Sequence, residues 1–343
     1  MSYNVIVKNN YFMDRYLINR TFEDFFKKKI LVIGDVMIDS YVWGNVDRIS
    51  PEAPVPIVSV VKKENRLGGA ANVAKNLLSL GAVPIICSVI GVDFYGNIFR
   101  DLLNQNSLTD EGIITSNQRK TTVKTRIISS SQQLIRIDEE DAVVLEIKEE
   151  ELLLKKIKKL IESGVDAIIF EDYDKGVLTK TLIKEVISLA NSKGIITTVD
   201  PKKNNFFEYK NATLFKPNLK EIKEGLNVNI SIEDKESFVN AIYGLLTKQN
   251  FNYVVVTLSE NGISGITKDK EIIFYPAEKR NISDVSGAGD TVISVLTLCL
   301  ISGCNFKDAV FLANLAGGLV CEKVGVVPID RNEFYNEILK KIF

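Results

Sequence analysis

Asp284-Val-Ser-Gly-Ala-Gly-Asp-Thr291 runs directly into the apolar stretch Val292–Ile301. Ser286 to Gly289 are all small, so the backbone can turn sharply there and approach a ligand closely. A helix starting at this point aims unpaired N–H groups and the positive end of its dipole at one spot. Such a spot suits an anion, a phosphate in particular. Asp290 sits at its mouth, where a carboxylate can take a proton from an attacking hydroxyl. A Gly-rich turn with Asp290 as a simple helix N-cap accounts for the same letters, and the octet alone does not separate the two. Gly287-Ala-Gly289 does not continue as GxGxxG or GxGxxA, because Val292 holds the third position. GxxxxGK[ST] is absent as well, so neither a dinucleotide-binding turn nor a P-loop is expected.

Outward from the octet, short apolar runs recur at Lys29–Gly34, Val83–Ile90, Ala167–Phe170, Ile195–Val199 and Tyr253–Thr257. Helical patterns lie between them, at Ala70–Leu80, Glu149–Glu162 and Lys180–Ser192. This alternation predicts an α/β fold with a mainly parallel sheet covered by helices. Two stretches break it, residues 40–66 and 119–138. Both are rich in β-branched residues near period-2 spacing. They read as two insertions that build one small sheet, a flap able to exclude water; a pair of ordinary edge hairpins fits the same pattern. Residues 1–20 read as an N-terminal extension and 21–343 as the main domain.

Composition narrows the chemistry. The 343 residues carry 43 Lys and Arg against 44 Asp and Glu, so 43 − 44 = −1, with 45% hydrophobic and 25% charged residues. That is an ordinary globular balance, with nothing to favour nucleic acid or an anionic membrane as partner. There is no histidine, which removes the Ser-His-Asp triad, the Cys-His pair, a His general base and every His-containing metal site. Acid–base work must fall to Asp, Glu, Lys, Cys or Tyr. Cys87, Cys299, Cys304 and Cys321 form no CxxC pair and sit in apolar surroundings, as reduced core cysteines do. A cytoplasmic location follows. Met1 to Lys29 has no signal-like apolar region. Ser294 and Thr297 interrupt Val292–Ile301, which is far shorter than the roughly 20 residues of a membrane helix.

Other clusters carry polar groups to the ends of predicted strands. Gly34-Asp-Val-Met-Ile-Asp39 puts Asp35 and Asp39 just past a strand's carboxyl end, where open α/β sheets bind ligands. Gly68-Gly-Ala-Ala-Asn72 opens the next helix, with Gly69 allowing close approach and Asn72 offering donor and acceptor. Turns and helix caps explain each of these residues singly. Asn218 and Glu221, in Pro217-Asn-Leu-Lys-Glu221, share a helix face and can hold a hydrated Mg²⁺ or cap the helix start. Asp172-Tyr-Asp-Lys-Gly176, Asp200-Pro-Lys202, Arg126 and Arg136 supply phosphate-binding candidates.

Together these residues resemble the ribokinase-like (PfkB) sugar kinase family. Gly68-Gly69 with Asn72 resembles its N-terminal signature and Asp284–Thr291 its C-terminal GAGD signature, over about residues 25 to 330. Arg48-Ile-Ser-Pro-Glu-Ala-Pro-Val-Pro56, Gln132-Gln-Leu-Ile-Arg-Ile-Asp138, Asp172–Gly176 and Pro217–Glu221 are similar to the kinase domain of bacterial ADP-heptose synthesis enzymes. The resemblance implies a ribokinase-like three-layer α/β/α core with a small β-sheet lid. It implies phosphorylation of D-glycero-β-D-manno-heptose 7-phosphate at the anomeric oxygen by ATP and Mg²⁺, towards the lipopolysaccharide core. It makes Asp290 the general base and Gly287, Ala288 and Gly289 the anion hole. It assigns Asp39, Gly68, Gly69 and Asn72 to the sugar, and Asp35, Arg126, Arg136, Asp172 and Lys175 to the sugar or its phosphate. Lys202, Asn218, Leu219, Lys220, Glu221, Thr257, Ser259, Gly262 and Asn314 fall on the nucleotide side, with Asn218 and Glu221 reaching Mg²⁺ through water. It implies a homodimer formed through the lid. Relatives with an HxGH adenylyltransferase domain need histidine, so a separate adenylyltransferase is expected.

Two places depart from the family pattern. Thr257-Leu-Ser-Glu-Asn-Gly262 has Leu258 where an Arg is usual, and Gly325-Val-Val-Pro328 lacks the usual Gly-Thr. A kinase for fructose, ribose or a ketose phosphate is the competing reading within the family. A silent sugar-binding regulator is the competing reading outside catalysis, and retention of Asp290 beside Gly287-Ala-Gly289 argues against it.

Overall fold

Alternate residues of Lys29–Gly34 go to opposite sides of a sheet, as the period of a strand requires. Ile30 and Val32 enter one hydrophobic cluster, Leu31 and Ile33 the other. Ala167 and Ile169 divide from Ile168 and Phe170 in the same way. A sheet buried on both faces needs helices on both, and the computed structural model has that arrangement. It describes residues 5–6, 13–129 and 132–343.

In chain order the strands are β1 (Val5–Ile6), β2 (Lys29–Gly34), β3 (Val36–Ile49), β4 (Pro56–Gly69), β5 (Val83–Gly91), β6 (Ile113–Ser116), β7 (Val123–Ser129), β8 (Gln132–Glu139), β9 (Ala167–Glu171), β10 (Ile196–Asp200), β11 (Leu214–Phe215), β12 (Tyr253–Thr257), β13 (Ile263–Thr267) and β14 (Ile272–Tyr275). The helices are α1 (Arg15–Phe25), α2 (Ala70–Ser79), α3 (Phe94–Gln105), α4 (Ile147–Glu162), α5 (Lys180–Ser192), α6 (Leu219–Leu226), α7 (Lys235–Gln249), α8 (Ala288–Ile301), α9 (Phe306–Val320) and α10 (Arg331–Ile342). The large sheet runs β1-β14-β13-β12-β11-β10-β9-β2-β5-β6 and is parallel except where β13 meets β12 and β14. Residues of α1, α2, α3, α8, α9 and α10 fill one core cluster, and those of α4, α5, α6 and α7 fill the other. This is a three-layer α/β/α fold with a second, smaller sheet.

The smaller sheet settles how the two β-rich stretches pair. Its order is β4-β3-β7-β8, with β3 and β7 parallel, so the stretches form one sheet rather than two separate hairpins. Residues 130 and 131, within the second stretch, lie outside the described residues. Register gives the sheet two unlike faces. Arg66, Asp39, Lys124 and Asp138 make one cross-strand row, and Glu64, Tyr41, Arg126 and Arg136 make the next. The alternate rows carry Lys63, Val42, Ile127 and Ile135, then Asn65, Ser40, Thr125 and Ile137.

The expected boundary between residues 20 and 21 falls inside α1. Asp14 caps that helix, and Ile18, Phe22 and Phe25 are buried in the core. The apolar spacing of the helix, not a loose extension, governs this part of the chain. The rest of the expected extension, residues 1–4 and 7–12, lies outside the described residues.

Candidate active site

Parallel strands present their carboxyl ends on one side, and the polar groups of the site collect there. Asp35 follows β2, Glu171 ends β9, Asp200 ends β10, and Lys216 follows β11. The register Asp200↔Glu171 and Gly34↔Glu171 sets the first three side by side, although 165 residues of sequence separate Asp35 from Asp200.

The start of α8 faces this edge. Gly287 is its N-cap with φ 80°, and no side chain caps the helix. The left-handed backbone suits glycine there. A Cβ on Gly287 would stand 2.9 Å from Asn72 Nδ2, and one on Gly289 would stand 3.5 Å from both Asp200 Oδ2 and Lys216 Nζ. The backbone of the Ser286–Gly289 turn therefore comes close to the polar cluster. Asp290 is the third helical residue and not the cap. Its Oδ2 accepts a hydrogen bond from Asn72 Nδ2 at 2.6 Å and its Oδ1 one from the Tyr173 hydroxyl at 3.1 Å. Burial pushes its carboxyl up to about 6; the Asn72 bond opposes that shift and Asp200 adds to it. A carboxylate raised to that range, with both oxygens oriented, is suited to accept a proton near neutral pH.

Behind Asp290 lies a buried charge cluster. Glu171, Asp200 and Asp290 each place an oxygen within 4.8 Å of the others. Lys216 Nζ pairs with Asp200 Oδ2 at 2.7 Å, and both side chains are buried. Burial alone would lower the Lys216 ammonium, but Asp200 and Glu171 more than reverse it. Burial, then Asp200 and Asp290, drives the Glu171 carboxyl well above its usual range. Glu171 Oε2 and Asn72 Oδ1 are buried with no hydrogen-bond partner. Glu171, with its orphaned oxygen, and Asp200 offer oxygen donors of the kind a hard divalent cation takes.

Several sequence-predicted residues gather on and around the small sheet. Asp39 is buried and ion-paired with Arg126, and a Cβ on Gly68 would collide with the Asp39 carboxylate. Gly69, at φ 60°, precedes α2 and so leads the chain to Asn72. Arg136 lies directly across from Arg126 and is bidentate to Asp138 at 2.9 and 3.0 Å. Lys175 pairs with Glu140 at 2.6 Å.

Two more of the expected residues also have structural partners. Asp35 accepts backbone N–H bonds from Tyr173, Lys175 and Val177 at 2.9, 3.1 and 3.1 Å. Asp172 accepts from Tyr209 Oη, Asn205 Nδ2 and the Asp174 N–H. Both are buried, and these bonds shape the 172–177 loop.

On the other side, Asn218 and Glu221 form a reciprocal capping box at the start of α6, both bonds at 2.8 Å. Glu221 Oε1 takes Lys202 Nζ at 2.5 Å. Both Glu221 oxygens are thus engaged, and direct ligation of a metal would have to open the cap. Thr257 donates its N–H to the Pro217 carbonyl, which ties the end of β12 to Asn218. Gly262, at φ 94°, approaches the Tyr275–Ala277 backbone, and Asn314 Nδ2 donates to the Pro276 carbonyl at 2.9 Å. Ser259, at φ 53°, closes the turn between Thr257 and Gly262. Leu219 lies against the second core cluster. Lys220 is 82% exposed and faces Glu224, because its place on α6 turns it to solvent, away from the cluster. Leu258 is buried and lines a small cavity with Phe238 and Val239 of α7.

A further tie joins the small sheet to the start of α8. Val326 N–H donates to the Tyr41 hydroxyl at 3.2 Å and Gly325 N–H to Asp284 Oδ2 at 2.9 Å. Arg66 stacks on the Tyr41 ring at 4.8 Å.

Glu171, Tyr173 and Lys216 were not singled out from sequence, and Asp200 only as a neighbour of Lys202. The available signal was a charged or polar residue at the end of a buried run, as in Ile168-Ile-Phe-Glu171 and Leu214-Phe-Lys216.

The family described as "pfkB family carbohydrate kinase" matches residues 27–331. The chain belongs to the pfkB family. This kinase is 40% identical over 314 residues to the bifunctional protein HldE of Campylobacter curvus, covering 92% of this chain and 65% of that one. It is also 40% identical over 309 residues to bifunctional HldE of Aliarcobacter butzleri, covering 90% and 64%. The chain thus spans just under two thirds of the length of these relatives. Among solved structures, phosphofructokinase-2 from Escherichia coli in complex with potassium superposes with a TM-score of 0.76 at 18% identity, covering 92% of this kinase and 98% of that chain. Arabidopsis thaliana ribokinase complexed with ribose and ATP superposes with a TM-score of 0.68 at 15% identity, covering 92% and 98%. The fold is therefore ribokinase-like, and the protein is an ATP-dependent carbohydrate kinase. Among the described residues, no helix is long and apolar enough to cross a membrane.

Proposed function

We propose that this kinase phosphorylates D-glycero-β-D-manno-heptose 7-phosphate at O1, with ATP as donor and Mg²⁺ as cofactor, on the route to the lipopolysaccharide core. The observation that carries the choice of a phosphorylated sugar is the polar face of the small sheet. Arg66, Lys124, Arg126 and Arg136 share that face with Asp39, Glu64 and Asp138. In these two rows four cations against three carboxylates leave one positive charge, and Lys62 adds another beside Glu64, suited to the second phosphate of the acceptor. Similarity to HldE proteins supports the heptose.

Asp290 takes the proton of the anomeric hydroxyl, and that hydroxyl is acidic enough for a carboxylate base. The N–H groups at the uncapped start of α8, from Gly287 to Gly289, receive the charge of the transferring phosphoryl group. Lys216 and Lys202 hold the surrounding carboxylates in place. Asp200 and Glu171 would hold Mg²⁺ directly, with Glu221 and Asn218 reaching it through water. When bound, the ion neutralises charge on the nucleotide phosphates. The small sheet closes over the acceptor and excludes water. Its other face leaves Ile135 54% exposed, Ile137 45% and Val61 72%. A second copy of the chain covers these residues in a homodimer, since exposed apolar side chains on both edge strands of one face favour burial. The reaction is cytoplasmic, where ATP is supplied. These 343 residues contain no histidine, and HxGH-type adenylyl transfer is not assigned to them.

The test is turnover of MgATP with the heptose 7-phosphate, fructose 6-phosphate and ribose, for wild type and Asp290→Asn. Strong preference for the heptose phosphate, lost in the variant, supports substrate and base together. Preference for either other sugar refutes the substrate and keeps the kinase.

A further inference from the structure

We propose that Tyr173 is a positioning residue of the phosphoryl transfer: held in place by Asp35, it presents its hydroxyl as the second of two donors that orient the Asp290 carboxylate. The inference rests on the reading of Asp290 as general base and deepens it.

Asp35 lies beneath the 172–177 loop and accepts three of its backbone N–H groups, that of Tyr173 among them. A buried carboxylate with three backbone partners fixes the loop more tightly than turn geometry alone. Tyr173 Oη reaches Asp290 Oδ1, and Asn72 Nδ2 reaches Oδ2 from the opposite element, α2. A carboxylate held by one donor can still rotate; one held at both oxygens presents a fixed lone pair to the acceptor hydroxyl. The phenol carries the hydrogen and the carboxylate has none to give, so Tyr173 is the donor of this bond. Lys202 Nζ lies 5.5 Å from the Tyr173 ring centre. The ring therefore spans the space between the base and the Lys202–Glu221 pair on the nucleotide side.

The groups facing Asp290 come from every element around it. Asn72 comes from α2, Glu171 and Tyr173 from the end of β9 and its loop, Asp200 from β10, and Lys216 from the residue after β11. Glu171 and Asp200 disfavour its charge; Asn72, Tyr173 and Lys216 favour it. Removing the Tyr173 hydroxyl removes a favourable contact and leaves the unfavourable ones.

Tyr173→Phe is the informative substitution because it keeps the ring and its contact with Lys202. The expected result is a kcat lower by roughly tenfold with both KM values unchanged, since a hydrogen bond to a charged group contributes on that scale. A purely structural role would lower the folded fraction and leave kcat per folded molecule in place. An unchanged kcat in a folded Tyr173→Phe protein overturns the proposal. Should that variant fold poorly, Asp35→Asn tests the same chain of contacts; wild-type kcat per folded molecule there overturns it. Full turnover in Asp290→Asn overturns the base reading and this inference with it.

Discussion

Gly287→Ala adds one methyl group at the start of α8, and its consequences divide into two parts. The first is backbone strain. Gly287 has φ 80°, and a Cβ in the left-handed region costs about 1–2 kcal/mol, read as a melting temperature lower by a few degrees. The second is local and catalytic. The new Cβ would stand 2.9 Å from Asn72 Nδ2, against 3.4 Å for the start of ordinary contact, so that nitrogen must move by 3.4 − 2.9 = 0.5 Å. The same nitrogen donates to Asp290 at 2.6 Å. If a misplacement of about 1 Å at a reacting centre costs about a hundredfold, half of that costs about tenfold. The assay is steady-state kinetics beside thermal melting, for Gly287→Ala, Asn72→Ala and the double variant. With Asn72 truncated the methyl group has nothing to push, so the kcat effects should fall short of adding. Wild-type kcat in Gly287→Ala, or full additivity in the double variant, would refute the reasoning.

Asp290→Asn should lower kcat by about a hundredfold or more with nucleotide affinity retained, measured by turnover and calorimetry. In the wild type the carboxyl must be ionised to act, so kcat/KM should rise with pH through about 6 and be lost below it; a flat profile from pH 5 to 8 on this scale contradicts the assignment. Lys216→Met leaves buried Asp200 without its ion-pair partner and Lys202 as the remaining cation beside Asp200 and Glu171, so urea unfolding should show a loss of about 3–5 kcal/mol. A loss below about 1 kcal/mol would mean the cluster is held by other groups. Ile135→Asp, on the face of the small sheet that also carries Ile127 and Ile137, should shift sedimentation from dimer to monomer with the melt of each subunit kept. A dimer that survives it uses another surface.

The sequence shows its large-scale order through residues that depend only on their neighbours. Val83–Ile90 and Tyr253–Thr257 read as strands because buried strands are short apolar runs, and Lys180–Ser192 reads as a helix from its spacing alone. Leu214–Phe215 is too short for that signal, β13 carries mixed letters, and β14 is an apolar run of only four residues. The site divides along the same line. Asp290, Gly287 and Asn72 stand in motifs whose chemistry is local. Glu171 and Lys216 acquire meaning only when parallel pairing sets distant strand ends together. Asp35 and Asp172 look like ligand contacts because they are carboxylates at strand ends. Their partners within the fold, amides and a tyrosine hydroxyl on distant turns, are invisible until the 172–177 loop is placed. Asn218 and Glu221 fit both a cap and a metal site in one dimension, and the reciprocal bonds show the cap.

The Gly325–Val326 tie has a consequence for building chimaeras. One short backbone segment holds Tyr41 of the small sheet with one N–H and Asp284, just ahead of the Gly-rich turn, with the next. The small sheet and the helix that carries Asp290 are therefore not separate modules. Strands β3 and β4 transplanted from a relative would arrive without the segment their Tyr41 position is fitted to. The smallest exchangeable unit is discontinuous: it comprises the sheet strands, the segment around residue 325 and Asp284.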